Sequence, residues 1–127
     1  MTEPPRVDGN TANFTGALQA AGFVFTSGHA SVDEHGAIVA APFAEEMDRS
    51  IGNLERALAA HGCTLADVVK VTSYVRDPSD LAEYNARYRD YFSEPLPVRT
   101  TLTGCLPSTI RFEIEAIALA PVVVGPS

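Results

Sequence analysis

Apolar residues recur at helical spacing in two stretches of the chain and alternate at strand spacing in most of the rest. Across residues 43–61, Phe43, Met47, Ile51, Leu54 and Leu58 return every three or four positions, which predicts an amphipathic helix, and Gly62 suits the left-handed residue that ends one. Asp77-Pro78 is a capping residue followed by a proline fit for the first helical position. After it, Leu81, Tyr84, Tyr88 and Phe92 form the stripe of a second helix. Strands are expected near 14–20 and 23–28, with Ala21-Gly22 turning between them, and the Asp33–Gly36 turn leads to a short strand at 37–40. Val68–Arg76 reads as a further strand, Pro97-Val98 biases the chain into Arg99 towards extended geometry, and a final strand covers about 109–120.

The order β-β-β-α-β-α-β-β predicts an α+β domain, a mixed sheet with two helices on one face. Residues 1–11 and 121–127 lack periodicity and are expected to be loose ends of a single domain spanning 1–127. Two helices cover only one face of such a sheet. The other carries Glu113, Glu115, Ile117 and Leu119, too apolar a set to rest in water, so a partner is expected there.

Composition narrows the possibilities. The 127 residues are 46% hydrophobic and 20% charged, as in ordinary globular proteins. No apolar run approaches the roughly 20 residues that span a bilayer, and the first residues lack the basic start and apolar core of a signal peptide. Cys63 and Cys105 have no motif neighbours and read as free thiols of a reducing compartment, so a cytoplasmic protein is expected. A net charge of −7 argues against nucleic-acid binding through phosphates. No HxH, HExxH or Cys/His cluster, no Ser-His-Asp arrangement and no glycine-rich phosphate loop is present, which points to chemistry without metal or cofactor.

The chemistry-bearing stretch is Pro97 to Ala118. It holds Arg99, a Leu106-Pro107 turn, and Glu113 and Glu115 two residues apart on one face of the last strand. A guanidinium can clamp a carboxylate in fork geometry, and a glutamate in apolar surroundings can handle a proton. On spacing alone, a structural Arg–Glu ion pair explains the same residues.

Pro97-Val98-Arg99, Leu106-Pro107 and the strand Phe112-Glu113-Ile114-Glu115-Ala116-Ile117-Ala118 resemble the signature of the YjgF/RidA family of reactive enamine/imine deaminases. Upstream, Phe25-Thr26-Ser27-Gly28, the run Asp67 to Asp77, and Tyr84-Asn85-Ala86-Arg87-Tyr88 are similar to further family motifs in the same order, so the resemblance covers residues 14–120. It implies a chorismate-mutase-like fold, a homotrimer with the sheets lining a central barrel, and active sites in clefts between subunits. It also implies roles. Arg99 binds the substrate carboxylate, with Thr100 or Thr101 assisting, and Glu113 positions the attacking water. Asn85, Ser27 and Gly28 line the cleft, and His29 stands where the family often has glutamine, at a position that can face it. Two positions depart from the pattern: the pocket tyrosine falls on Phe14, and the cysteine two residues after the arginine is Thr101. His35 reads as an exposed turn residue, and His61 as a favourable charge at a helix end.

The function implied is hydrolysis of a 2-imino or 2-enamino acid to a 2-oxo acid and ammonia. The alternatives are a non-catalytic trimer that binds small carboxylates and an enzyme acting on a larger enamine or enol. The family's sometimes-assigned ribonuclease activity fits poorly with the acidic charge.

Overall fold

The computed structural model describes residues 13–122. Eight regular elements follow one another: β1 (Ala17–Ala20), β2 (Phe23–Thr26), β3 (His29–Ala30), α1 (Phe43–Ala59), β4 (Val68–Val75), α2 (Leu81–Tyr91), β5 (Val98–Thr103) and β6 (Phe112–Leu119). The α+β architecture expected from the pattern is the one observed, and the sheet is mixed. Its order is β1-β2-β6-β4-β5, with β3 also on β6; β4 and β5 are parallel and the other pairings are antiparallel. The crossover from β4 to β5 runs through α2, which brings that helix over the β5 edge.

Alternation along the central strand sorts the two faces. Phe112, Ile114, Ala116 and Ala118 of β6 are buried with Val71, Ser73 and Val75 of β4 beneath the helices. Phe43, Met47, Ile51, Leu54 and Leu58 of α1 complete that core, as their spacing predicts. Tyr84 and Tyr88 of α2 and Phe92 just beyond it join them. Gly62 has a φ of +77° after α1, and Ala21 (φ +52°) with Gly22 (φ +84°) makes the tight hairpin turn between β1 and β2. Buried Glu46 ties α1 to the start of β6: one carboxylate oxygen accepts from the Arg111 N–H at 2.9 Å, the other from the Ala41 N–H at 3.1 Å. Buried Asn53 donates to the carbonyls of Ala30 (2.9 Å) and Val32 (3.1 Å), fixing the β3 segment under α1.

Two strand expectations are corrected. The strand expected at 37–40 is a single bridge, Val32 to Ile38. The Asp33 carboxylate accepts from the His35 and Ala37 amides, so the tight turn uses most of the segment before Pro42 opens α1. The strand expected over 23–28 stops at Thr26. Phe25 pairs with Ile117 and His29 with Ile114, so three residues, 26–28, stand across from two, 115–116, and form a bulge. Thr26 Oγ1 accepts the Ala116 N–H at 3.0 Å, taking the place of a ladder carbonyl there.

The face away from the helices is open and largely apolar. Leu18 (60% exposed), Leu119 (52%), Phe23, Phe25, Val98 and Leu102 are left uncovered, so the face opposite the helices is as apolar as the sequence pattern predicts. The termini expected to be loose lie outside the described residues, apart from Pro121 and Val122, which are in no regular element. Among the described residues no helix is long and apolar enough to cross a membrane.

Candidate active site

The residues singled out in the sequence fall into two groups on opposite faces of the sheet. Arg99 pairs with Val71 and Thr101 with Ser73, residues whose side chains lie under the helices, so Arg99 and Thr101 point to the α2 side of β5. The Arg99 guanidinium carbon lies 4.7 Å from the centre of the Tyr88 ring and 5.2 Å from that of Tyr84. Thr101 Oγ1 donates to the Tyr84 hydroxyl at 3.2 Å. Asn85, next to Tyr84 on α2, is exposed. Thr100 points the other way, to the open face beside Thr72.

Glu113 occupies the open face. It stands across from Tyr74 and is half-buried. Burial pushes its pKa up, and the neighbouring Glu115 charge adds to the shift. Glu115 is held by Tyr74, whose hydroxyl donates to it at 2.6 Å; that bond, more than burial, raises the Tyr74 pKa to about 12. On the other side of Glu113 lies Gly28. A Cβ added there would come within 2.4 Å of Glu113 Oε2, so the bare backbone is what lets this carboxylate keep its place. Ser27, just before it, donates through its hydroxyl to the Thr15 carbonyl at 2.6 Å and through its amide to the Gly16 carbonyl at 3.0 Å. These bonds draw the segment that follows exposed Phe14 alongside the bulge.

His29 is placed elsewhere. The bulge shifts its alternation by one residue, so it shares the helix face with Ile114 and is 4% exposed, its ring nitrogen 3.2 Å from the Gly16 carbonyl. Burial lowers its pKa, the Gly16 carbonyl opposes that, and the Arg56 charge reinforces it. Within one chain, then, Arg99 and Glu113 are not brought together, and the ion pair that their spacing allowed does not form. Among the described residues, the Arg99 guanidinium donates no hydrogen bond to a side chain or carbonyl.

Sequence reasoning did not place Tyr74, Tyr84 and Tyr88 at the site. The two α2 tyrosines read as core, which they are, but their rings also support Arg99. Tyr74 is signalled only by alternation along β4, which puts it on the same face as Lys70 and Thr72. No group of three or more His, Cys, Asp or Glu residues that could hold a metal occurs among the described residues. A groove of about 470 Å³ beside α1 is lined by Glu45, Asp48, Arg49, Arg56 and Arg87 and contains none of these site residues.

Comparison with known proteins assigns the architecture. Residues 8–120 match the family model described as Endoribonuclease L-PSP. A RutC family protein of Pyrococcus abyssi is 37% identical over 83% of this chain and 84% of its own length. The 2-iminobutanoate/2-iminopropanoate deaminase of Rattus norvegicus is 37% identical over 76% of this chain and 72% of its own. The crystal structure of RidA from an Antarctic Psychrobacter superposes with a TM-score of 0.79 at 26% identity, covering 92% of this chain and 94% of that one. The chain belongs to the YjgF/RidA family. The two positions read in the sequence as departures from the family pattern, Phe14 and Thr101, are both among the described residues. Phe14 presents an exposed ring with no hydroxyl, and Thr101 spends its hydroxyl on Tyr84.

Proposed function

We propose that this protein is a cofactor-independent deaminase that hydrolyses small 2-imino acids to 2-oxo acids and ammonia, with each active site shared between two chains of a homotrimer. The observation that carries this reading is the placement of Arg99 and Glu113 on opposite faces of one sheet. Arg99 with Asn85 and the α2 tyrosines forms one half-site; Glu113 with Gly28, Ser27 and Phe14 forms the other. Packing the open apolar face of one copy against the β5 edge of the next joins the halves and removes Leu18, Phe23, Phe25 and Leu119 from water. The names of relatives at about 35% identity support the substrate class.

The chemistry follows from the two groups. Arg99 binds the substrate carboxylate through paired N–H donors, which fixes the imine carbon relative to the partner copy's Glu113. That glutamate, a stronger base for having its pKa raised by burial, accepts a proton from water as the oxygen adds to the C=N carbon. Glu113 passes that proton to the nitrogen, giving the carbinolamine. It then takes the hydroxyl proton and delivers it to the nitrogen as the C=O forms and the C–N bond breaks, so that ammonia leaves and the 2-oxo acid remains. Asn85 is an additional polar contact on the Arg99 side and Thr100 on the open face.

The test supplies 2-iminobutanoate, made in place by a dehydratase or an amino-acid oxidase, and follows 2-oxobutanoate formation. Acceleration over the uncatalysed rate is expected. Arg99→Lys should weaken 2-oxobutanoate binding and turnover together, because a point charge cannot reproduce the fork. Glu113→Gln should retain binding while turnover slows by roughly 10²–10⁴-fold. Binding that depends on Arg99, with no acceleration in the parent protein, would establish the non-catalytic alternative.

A further inference from the structure

Among the described residues Arg99 is held not by a carboxylate but by two aromatic rings, and the nearer of these, Tyr88, is itself packed against other aromatic rings. Tyr88 is 5% exposed, and its hydroxyl has no hydrogen-bond partner among the described residues. Burying an unpaired hydroxyl is unfavourable, and phenylalanine would fill the same volume without that cost. The Tyr84 hydroxyl, by contrast, is held by Thr101, and the two rings meet edge to face with centroids 5.8 Å apart. On its other side Tyr88 stacks on Phe92 at 4.8 Å, so the ring nearest the guanidinium is itself clamped. Thr101 pairs with Ser73 on the adjacent strand, whose hydroxyl is likewise buried and without a partner among the described residues.

We propose that Tyr88, supported by Tyr84 and Thr101, is a positioning residue for Arg99: the rings hold the guanidinium by cation–π attraction and leave its N–H groups free for the substrate carboxylate. An arginine on an edge strand has several rotatable bonds, and an ion pair that fixed it would occupy the same N–H groups that the substrate needs. Aromatic faces restrict it without consuming a donor. Threonine at position 101, where the family pattern often has cysteine, then serves the arginine indirectly by fixing the Tyr84 ring. This inference rests on the reading of Arg99 as the carboxylate anchor.

The experiment measures 2-oxobutanoate affinity, together with kcat and KM for 2-iminobutanoate, in Tyr88→Phe, Tyr88→Leu, Tyr88→Met and Thr101→Val, alone and in an Arg99→Ala background. Circular dichroism and light scattering confirm that each variant is folded and assembled. Tyr88→Phe keeps the ring and should bind within about twofold of the parent. Tyr88→Leu, or Tyr88→Met if leucine does not fold, should weaken binding and raise KM about tenfold while kcat changes little, the pattern of a lost uniform binding contribution. Thr101→Val should have a smaller effect in the same direction. In Arg99→Ala, the further change at position 88 should do nothing to affinity, because the group it positions is gone. The Arg99 Nε–H resonance should lose part of its ring-current shift in Tyr88→Leu, the Tyr84 ring remaining, and keep all of it in Tyr88→Phe. If Arg99→Ala weakens binding but the leucine and methionine variants bind normally, the positioning role is wrong and the anchor reading stands. If Arg99→Ala itself has no effect on binding or turnover, the anchor reading falls first.

Discussion

Tyr74 stands directly across the β4–β6 ladder from Glu113, yet its hydroxyl passes that residue and donates to Glu115, 2.6 Å away. The bond fixes the Glu115 side chain, and the Glu115 charge is one of the two causes that hold the Glu113 pKa up. If Glu113 is the base proposed above it must be ionised to act, so kcat/KM should fall as pH drops through its raised pKa. Glu115→Gln removes the like charge and leaves burial, so the acid limb of the profile should move to lower pH. Tyr74→Phe removes only the hydrogen bond and leaves the Glu115 carboxyl group in place, so it should move the limb less. A limb in the same place in Glu115→Gln and parent would show that the two carboxylates do not communicate.

Gly28 offers a test of how closely Glu113 is confined. The collision expected in Gly28→Ala is with the end of a flexible side chain, so the variant should fold with nearly normal thermal stability. Glu113 must give way, however, and a misplacement of about 1 Å in a reacting group can cost on the order of 10²-fold in rate. Turnover should therefore fall far more than the melting temperature, and a normal kcat in Gly28→Ala would count against Glu113 as the base.

His29 makes stability depend on pH. Its folded-state pKa is lowered, chiefly by burial, so the unfolded chain binds the proton more readily. The neutral ring's contribution is fully present above the unfolded value of about 6.5 and is lost as pH falls from there through the lower folded pKa. Urea midpoints should drop between about pH 7.5 and pH 5.5, and His29→Gln should flatten that dependence. An unchanged slope in His29→Gln would show that other groups set it.

The open face predicts assembly. Light scattering during size exclusion should give three times the chain mass of 13.5 kDa. Leu119→Asp, a charge placed where a side chain is 52% exposed in the single chain, should break the trimer with helix content retained. A monodisperse monomer of the parent at micromolar concentration would overturn the shared-site reading.

Much of this was legible in the residues themselves. The α1 stripe, Gly62, the Ala21-Gly22 hairpin and the parity of Glu113 with Glu115 follow from local spacing, and each is found where that spacing puts it. What spacing cannot supply is register. Nothing in Thr26-Ser27-Gly28 announces the one-residue bulge that turns His29 under α1, because the bulge exists only relative to β6. The face taken by Arg99 was hidden for the same reason: it is fixed by pairing with Val71, 28 positions earlier in the chain. The 37–40 strand failed because Asp33 closes its turn with side-chain bonds and leaves too few residues before Pro42.

The opposed faces of Arg99 and Glu113 also have a consequence for inheritance. If each catalytic centre draws one of them from each of two neighbours, a chain that lacks the arginine and a chain that lacks the glutamate are damaged in different halves of the same centre. Assembled together in one ring of three, the two defective products place an intact arginine beside an intact glutamate at one of the contacts. Two null alleles of this gene, each silent alone, should then restore activity when expressed in the same cell, and each alone should remain inactive at any dose.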